Sequence, residues 1–193
     1  NRRHAPLLKR MKDLLAEKGE ILATSCQFYR FNRREPIFAY GTGLHGLDAL
    51  RFLGDSEVCE VRVQPGSSNS ALVTLVYESG VYGLMEMLPQ VGVQSERYTA
   101  HAADRTVVVD GVIEWLTLYP GFLQCFDQHK LTLSIDNAQD PAPPEVVSGF
   151  YGESAHFVQS LLEGRAPMPD LACSLRSVEI AEAVNRGEDV VFG

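Results

Sequence analysis

The sequence predicts an α+β fold: one large, mostly antiparallel open sheet with helices packed on one of its faces. Three observations predict it. The middle of the chain, from about residue 58 to 135, is a succession of strand-like runs, several of them separated by short turns, and strands joined that way pair antiparallel. Helical periodicity is confined to the two ends and to one short stretch around His45. Helices are missing between most strands, so a doubly wound parallel sheet is excluded.

The elements follow in chain order. Residues 5–18 are predicted helical, because Leu7, Leu8, Met11, Leu14 and Leu15 recur on one face and Lys and Arg fill the other, with Gly19 as the stop. Residues 21–31 (ILATSCQFYRF) are rich in aromatic and β-branched types and read as a strand, and NRREP is a polar connection. A short helix is expected over about 44–53. VCEVRVQ (58–64) alternates Cys59, Val61 and Val63 against Glu60, Arg62 and Gln64. SALVTLVYE (70–78) places Ala71, Val73, Leu75 and Tyr77 on one face. Ser79-Gly80 turns the chain into VYGLMEML (81–88), and KLTLSI (130–135) is a further strand. In TVVVDGVIEWLTLY (106–119) the Asp110-Gly111 pair tolerates positive φ, which predicts a hairpin turn. DNAQDPAPPEVV (136–147) is a Pro-rich surface connection. In the next helix Ala155, Val158, Leu161 and Leu162 share a face, and Gly164 ends it. Asp170 is placed as the N-cap of a last helix over 171–184, and EDVVFG adds a short strand. The sequence holds no internal repeat.

Composition narrows the function. The chain has 193 residues, 45% of them hydrophobic and 22% charged, which suits a globular domain. A net charge of −8 argues against a nucleic-acid groove, which needs clustered Lys and Arg. Basic residues do gather near the front (Arg2, Arg3, Lys9, Arg10, Lys12, Arg30, Arg33 and Arg34) and read as a solvated helix face plus a loop. No apolar run is long enough to span a bilayer, and no signal peptide is recognisable, so neither a membrane nor a nucleic-acid partner is expected. The chain begins with Asn1 and runs straight into a helix, so it reads as a piece of a longer protein. Cys26, Cys59, Cys125 and Cys173 are scattered, which fits reduced thiols and a cytoplasmic location. Glu153 and His156 lie i and i+3 on a helix. Without a companion ligand motif they read as a surface pair, and no metal is expected. Neither a Gly-x-Ser-x-Gly elbow nor a Walker loop is present.

One stretch, YGTGLHGLDALRFLG (40–54), contains Gly41-x-Gly43-x-x-Gly46, the spacing of a dinucleotide-binding loop. Its context is wrong. The leading stretch REPIFA is short and carries Glu35 and Pro36 where a core strand should be apolar, and the following helix is brief. The glycines therefore read as part of a turn. His45 at the helix entry is more informative. A helix N-terminus disfavours imidazolium, and a neutral imidazole with a tunable pKa suits proton transfer near pH 7. The structural alternative is a histidine that merely caps a turn.

Three stretches together resemble the C-terminal domain of the glucose–fructose oxidoreductase / inositol dehydrogenase (Gfo/Idh/MocA) family. NRRHAPLLKRMKDLL (1–15) is similar to the segment that follows the family's nucleotide domain. GTGLHGLDALRFLGD (41–55) is similar to its G-x-H-x-x-D segment. FYGESAHFVQSLLEGRAPMPDLACSLRSVEIAEAV (150–184) is similar to its closing pair of helices. The resemblance spans nearly the whole chain. It implies one domain over 1–193 that binds substrate and makes the oligomer through its sheet, with the NAD- or NADP-binding Rossmann domain lying outside this chain. No cofactor is expected on this chain alone.

Carried over residue by residue, His45 takes the family's catalytic histidine position, general acid/base at the substrate hydroxyl. Asp48 matches the helix aspartate, read mainly as a brace and counted with Gly41 among the substrate-side residues. Inositol-type members carry an aspartate where this chain has Gly41. Asn1 and Arg2 match a segment near the nicotinamide and are the cofactor-side candidates. Two functions follow as expectations. One is the substrate domain of an NAD(P)-dependent oxidoreductase for a sugar, cyclitol or related polyol. The other is a non-catalytic dimerisation or assembly domain, with Gly41 as the trace of lost activity. For the second, Tyr77, Tyr82, Trp115, Leu116 and Tyr119 are candidates for a partner-covered sheet face, with a buried core as the home of most of them on the alternative reading.

Overall fold

The computed structural model describes residues 1–111, 121–139 and 141–193. A 3-10 turn, Arg2–His4, leads into α1 (Pro6–Ala16), and Gly19 at φ +85° ends the descent as expected. Strand β1 (Ile21–Tyr29) follows. A π-helical turn, Ala39–Gly43, runs without a break into α2 (Leu44–Gly54). Then come β2 (Val58–Pro65), β3 (Ala71–Tyr77), β4 (Tyr82–Leu88), β5 (Ser95–Ala102), β6 (Arg105–Asp110), β7 (Phe122–Asp127) and β8 (Lys130–Asp136). The chain closes with α3 (Pro144–Val147), α4 (Phe150–Leu162), α5 (Leu171–Arg186) and β9 (Val190–Val191).

The strands form one sheet of nine in the order β8-β7-β6-β5-β1-β4-β3-β2-β9. Every neighbouring pair is antiparallel except β1 with β4, where Ser25 faces Leu84 in parallel register. β1 thus sits in the middle of the sheet, and the connection that leaves it carries α2 across one face before the β2–β3–β4 meander begins. The α+β sheet read from the sequence is the one found.

Alternation decides which face is the core. Ala71, Val73, Leu75 and Tyr77 of β3 point inward, as predicted, beside Met85 and Met87 of β4, Tyr98 and Ala100 of β5, and Val107 and Val109 of β6. Against them lie Leu8, Met11 and Leu15 of α1, Leu47, Leu50 and Leu53 of α2, and Ile180 and Val184 of α5. Burial of each such side chain stabilises by about 1.5–3 kcal/mol, so this one layer supplies the main driving force. α1 covers β5, β6 and β7, α2 covers β1 and β4, and α5 covers α2 and β2. The opposite face of the sheet is open, with Leu72, Tyr82 and Leu84 exposed.

The local expectations fare unevenly. Asp110-Gly111 is no two-residue hairpin: β6 is flanked by β5 and β7, and Asp110 pairs with Phe122, so a longer connection joins them. The rest of that run, with Trp115, Leu116 and Tyr119, lies outside the described residues. Tyr77 belongs to the core, its hydroxyl donating to the Leu50 carbonyl at 2.8 Å, while Tyr82 is on the open face. Ala155, Val158, Leu161 and Leu162 do share a side of α4, but that side is uncovered. The front basic residues are not all solvated, because Arg2 and Arg30 are buried. Gly164, the Asp170 cap (its carboxylate accepts from Cys173 N at 2.8 Å) and the closing strand are as predicted. All four cysteines are free.

Candidate active site

The glycine stretch is helical, not a loop. Among the positive-φ glycines neither Gly41, Gly43 nor Gly46 appears, and no strand leads into them. Two of the three serve contact. A Cβ on Gly43 would stand 2.7 Å from Met87 Sδ, and one on Gly46 would stand 2.7 Å from Met85 Cε and 2.8 Å from the Phe28 ring. Their smallness lets the helix approach β1 and β4 closely. Gly41 has open space instead, with nothing within 4 Å of a Cβ. The expected turn is therefore a π-helical entry to α2, a local geometry often found at functional sites.

That entry sets His45 as the second residue of α2, one helical step inside a continuous segment beginning at Ala39. Its pKa is lowered to about 4, first by burial and then by the positive charge of Arg2, with Glu96 opposing and Arg30 adding to the fall. The imidazole is neutral at pH 7 for these reasons. A bare helix end does not supply the effect, since the π-helical turn occupies the positions ahead of it.

Beneath the histidine lies a buried charge cluster. Glu96, an inward residue of β5, is 1% exposed. It accepts from Arg2 Nε at 2.7 Å and Arg2 Nη2 at 2.8 Å, from Arg30 Nη2, and from the Tyr98 hydroxyl at 3.1 Å. Burial alone would raise the Glu96 carboxyl; the two guanidinium groups outweigh it and hold it down to about 2. Arg30 also stacks on the Phe28 ring at 3.9 Å and donates to Tyr29 O at 2.8 Å. Two guanidinium groups face one carboxylate, so the cluster carries net positive charge, which favours the neutral form of a nearby imidazole. Cys26 and Tyr98 are pushed well up, by burial and by Glu96.

Asp48, one turn beyond His45, is a junction. Arg3 donates to both of its oxygens at 2.8 and 2.7 Å, and Ser177 Oγ of α5 donates to Oδ1 at 2.7 Å. Burial would raise this carboxyl; the Arg3 bonds and charge, Ser177 and Arg51 lower it. Arg51 extends the junction, donating to Ser177 Oγ and Cys173 O at 2.7 Å and to Glu57 at 2.8 Å. Asp48 thus ties the chain's first turn, α2 and α5 together.

At the front of the chain, the Asn1 backbone nitrogen lies 3.3 Å from Glu153, and Asn1 Nδ2 donates to Ser148 O at 3.0 Å. Asn1 Oδ1 is buried with no hydrogen-bond partner among the described residues. His4 and His156 have ring centroids 5.2 Å apart, and burial first, with His156 adding, lowers the His4 pKa. Among the described residues no three His, Cys, Asp or Glu side chains gather into a metal-binding group.

The structure therefore brings His45 and the Arg2–Glu96–Arg30 cluster together. Asp48 sits one turn along the same helix, and Gly41 four residues before the histidine leaves room for another molecule. Arg2 is engaged inside the chain. Glu96 and Arg30 escaped the sequence reading. Their signal was an acid in step with Tyr98, Ala100 and Ala102 on a period-2 strand, and that strand, β5, had not been recognised. Five cavities of about 240 to 490 Å³ lie around the sheet and α2, and His45 lines none of these five.

No family model and no curated protein matches the chain in sequence. Solved structures do match in fold. A dehydrogenase (MviM) from Clostridium difficile superposes with a TM-score of 0.78 at 14% identity, covering 96% of this chain and 59% of its own. A myo-inositol dehydrogenase from Corynebacterium glutamicum gives 0.73 at 17%, covering 100% and 63%. UDP-N-acetylglucosamine 3-dehydrogenase GnnA from Acidithiobacillus ferrooxidans gives 0.76 at 16%, covering 96% and 58%. The chain has a fold carried by sugar and polyol dehydrogenases, as the resemblance to the Gfo/Idh/MocA C-terminal domain implied. It spans about three fifths of the length of these neighbours.

Proposed function

We propose that this chain is the substrate-side domain of an NAD(P)-dependent oxidoreductase acting on a sugar, cyclitol or related polyol, with a nucleotide-binding domain elsewhere in the protein. The observation that carries the reading is His45: an imidazole held neutral by burial and two arginines, on a helix whose entry leaves open space at Gly41. Oxidation of a hydroxyl needs a proton acceptor beside it, and a neutral imidazole can accept that proton and return it in the reverse direction. Bound NAD(P) would supply the hydride acceptor. The residues present do not fit its pyrophosphate, because Gly43 and Gly46 are filled against methionines and Phe28. At the nicotinamide end, the unpartnered Asn1 Oδ1 is the group this chain offers, while Arg2 acts through its charge on His45. Asp48 serves the substrate indirectly, by fixing α2.

The open sheet face, with Leu72, Tyr82 and Leu84 exposed, is where we place a homo-oligomer contact, and the free cysteines suit a cytoplasmic protein. Among the described residues no helix is long and apolar enough to cross a membrane.

The test is turnover of the longer protein with a panel of sugars and cyclitols, as wild type and as His45→Asn. A fall of about 10²-fold or more in kcat is expected for loss of an acid/base group. Unchanged turnover removes His45 from the role. A second reading, an assembly domain without catalysis, rests on Gly41 standing where inositol-type enzymes carry an aspartate; turnover of any polyol by the wild type excludes it.

A further inference from the structure

A cavity of about 300 Å³ lies where three stretches meet: Pro36, Phe38 and Ala39 leading into α2, the turn between β2 and β3, and the end of α5. His45 is not among its walls. Its floor is cut into the core layer, where Phe38, Ala39, Ala71, Met87 and Val184 are buried and apolar. Its rim is polar and exposed, with Ser68, Asn69, Asn185 and Arg186. An apolar floor under a few convergent polar groups is the build of a small-molecule site.

The rim is set before any ligand arrives. Ser68 and Asn69 both take the left-handed conformation, at φ +56° and +60°, which is strained for residues other than glycine. Local bonds hold the turn there. Ser70 Oγ donates to Ser67 O at 2.6 Å, Asn69 Nδ2 to Glu35 O at 3.1 Å and Gln90 Nε2 to Ser68 O at 3.2 Å. Across the opening, the end of α5 packs on β2, since a Cβ at Gly187 would stand 3.4 Å from Pro65.

The groups left over define the ligand. The Ser68 hydroxyl, Asn69 Oδ1 and the Asn185 amide have no hydrogen-bond partner among the described residues. Arg186, the one charged residue on the described walls, is bonded to Glu182 at 2.5 Å. The cavity thus offers neutral donors and acceptors above a hydrocarbon floor, and the carbonyl end of α5 beside it disfavours an anion. A sugar or cyclitol ring matches this chemistry: its hydroxyls meet the amides and the serine, and its C–H face lies on Pro36 and Phe38. A charged ligand would find no free counter-charge.

We infer that this cavity is a second binding site, for one neutral polyhydroxylated ring, apart from the site that His45 serves. Its ligand is set by the cavity's own groups, whatever reaction His45 performs.

Every wall belongs to the 193-residue chain, so that chain serves for the test, by saturation-transfer NMR with glucose and myo-inositol. A single ring is expected to bind with a Kd on the order of 1 mM. Asn185→Leu and Asn69→Gly are each expected to weaken it at least ~5-fold through loss of a hydrogen bond, with His45→Asn leaving it unchanged. Both rim positions are exposed, and glycine accepts the φ of +60° at residue 69, so the fold persists in both variants. Absence of transfer to either ring overturns the inference. Binding that survives both rim variants overturns it too, and its loss in His45→Asn then places the ring at His45. Tighter binding of glucose 6-phosphate than of glucose overturns the neutral class. Rim-dependent binding in a longer protein that turns over no polyol upholds the cavity and sinks the oxidoreductase reading alone.

Discussion

Arg2 and Glu96, 94 residues apart in sequence, meet through two hydrogen bonds of 2.7 and 2.8 Å with both side chains almost wholly buried. The pair fixes the chain's first turn to the centre of the sheet and places a guanidinium near His45. Removing one partner would leave buried charge uncompensated. Glu96→Gln is expected to destabilise the fold by about 3–5 kcal/mol, read by urea denaturation. It should also move the His45 pKa further down, since Glu96 is the group that opposes the fall. A loss below about 1 kcal/mol would show that the cluster is solvated in solution.

Stability should fall with acid in two windows. His45 titrates near 4 in the folded chain and near 6.5 when unfolded. Between those values the unfolded chain binds a proton that the folded chain does not, so stability declines as pH falls from about 6.5 to 4. Glu96 is held near 2 against 4.5, so its contribution is present above 4.5 and is lost as pH falls from there toward 2. His45→Asn is expected to flatten the upper window by about one proton and leave the lower one in place. An NMR titration of His45 with a midpoint near 6.5 would contradict the burial and charge that define the site.

How much of this could be read in the sequence follows from the range of the forces involved. Local patterns were legible: the alternation of Ala71, Val73, Leu75 and Tyr77, the Asp170 cap, the stops at Gly19 and Gly164. His45 stood out in the sequence as an unusual choice for packing alone, and its role in a reaction is the proposal made above. The Arg2–Glu96–Arg30 cluster was not, because it joins three segments whose adjacency exists only after β1 is inserted between β5 and β4. β5 itself hid behind polar outward residues (Ser95, Arg97, Thr99 and His101), although its inward ones are buried. The apolar stripe of α4 was legible too, but periodicity reports that a face is apolar and says nothing of what covers it.

Asp48→Asn keeps the size of the side chain and removes the charge that Arg3 grips. A cost of about 2–4 kcal/mol is expected, and a double-mutant cycle with Arg3→Gln should return most of it as coupling. In the longer oxidoreductase proposed above, this variant should lower stability more than it changes KM at a temperature where the fold persists. A large rise in KM with unaltered melting would move Asp48 from brace to substrate ligand.

The three glycines separate cleanly by substitution. Gly46→Ala drives a Cβ to within 2.8 Å of the Phe28 ring, whose neighbours are fixed, so a loss of about 1–3 kcal/mol is expected. Gly43→Ala meets the flexible end of Met87 and should cost less. Gly41→Ala enters open space inside a helical segment and should leave stability unchanged or raise it by up to about 1 kcal/mol. A dinucleotide loop would behave otherwise: all three changes would weaken cofactor binding, with Gly41 as damaging as the others. Calorimetric titration of NAD(H) and NADP(H) into the 193-residue chain joins the two measurements. No binding, together with that order of stabilities, marks the glycines as helix–sheet contacts; micromolar binding abolished by Gly41→Ala would restore them as a phosphate site and undo the assignment of the nucleotide to another domain.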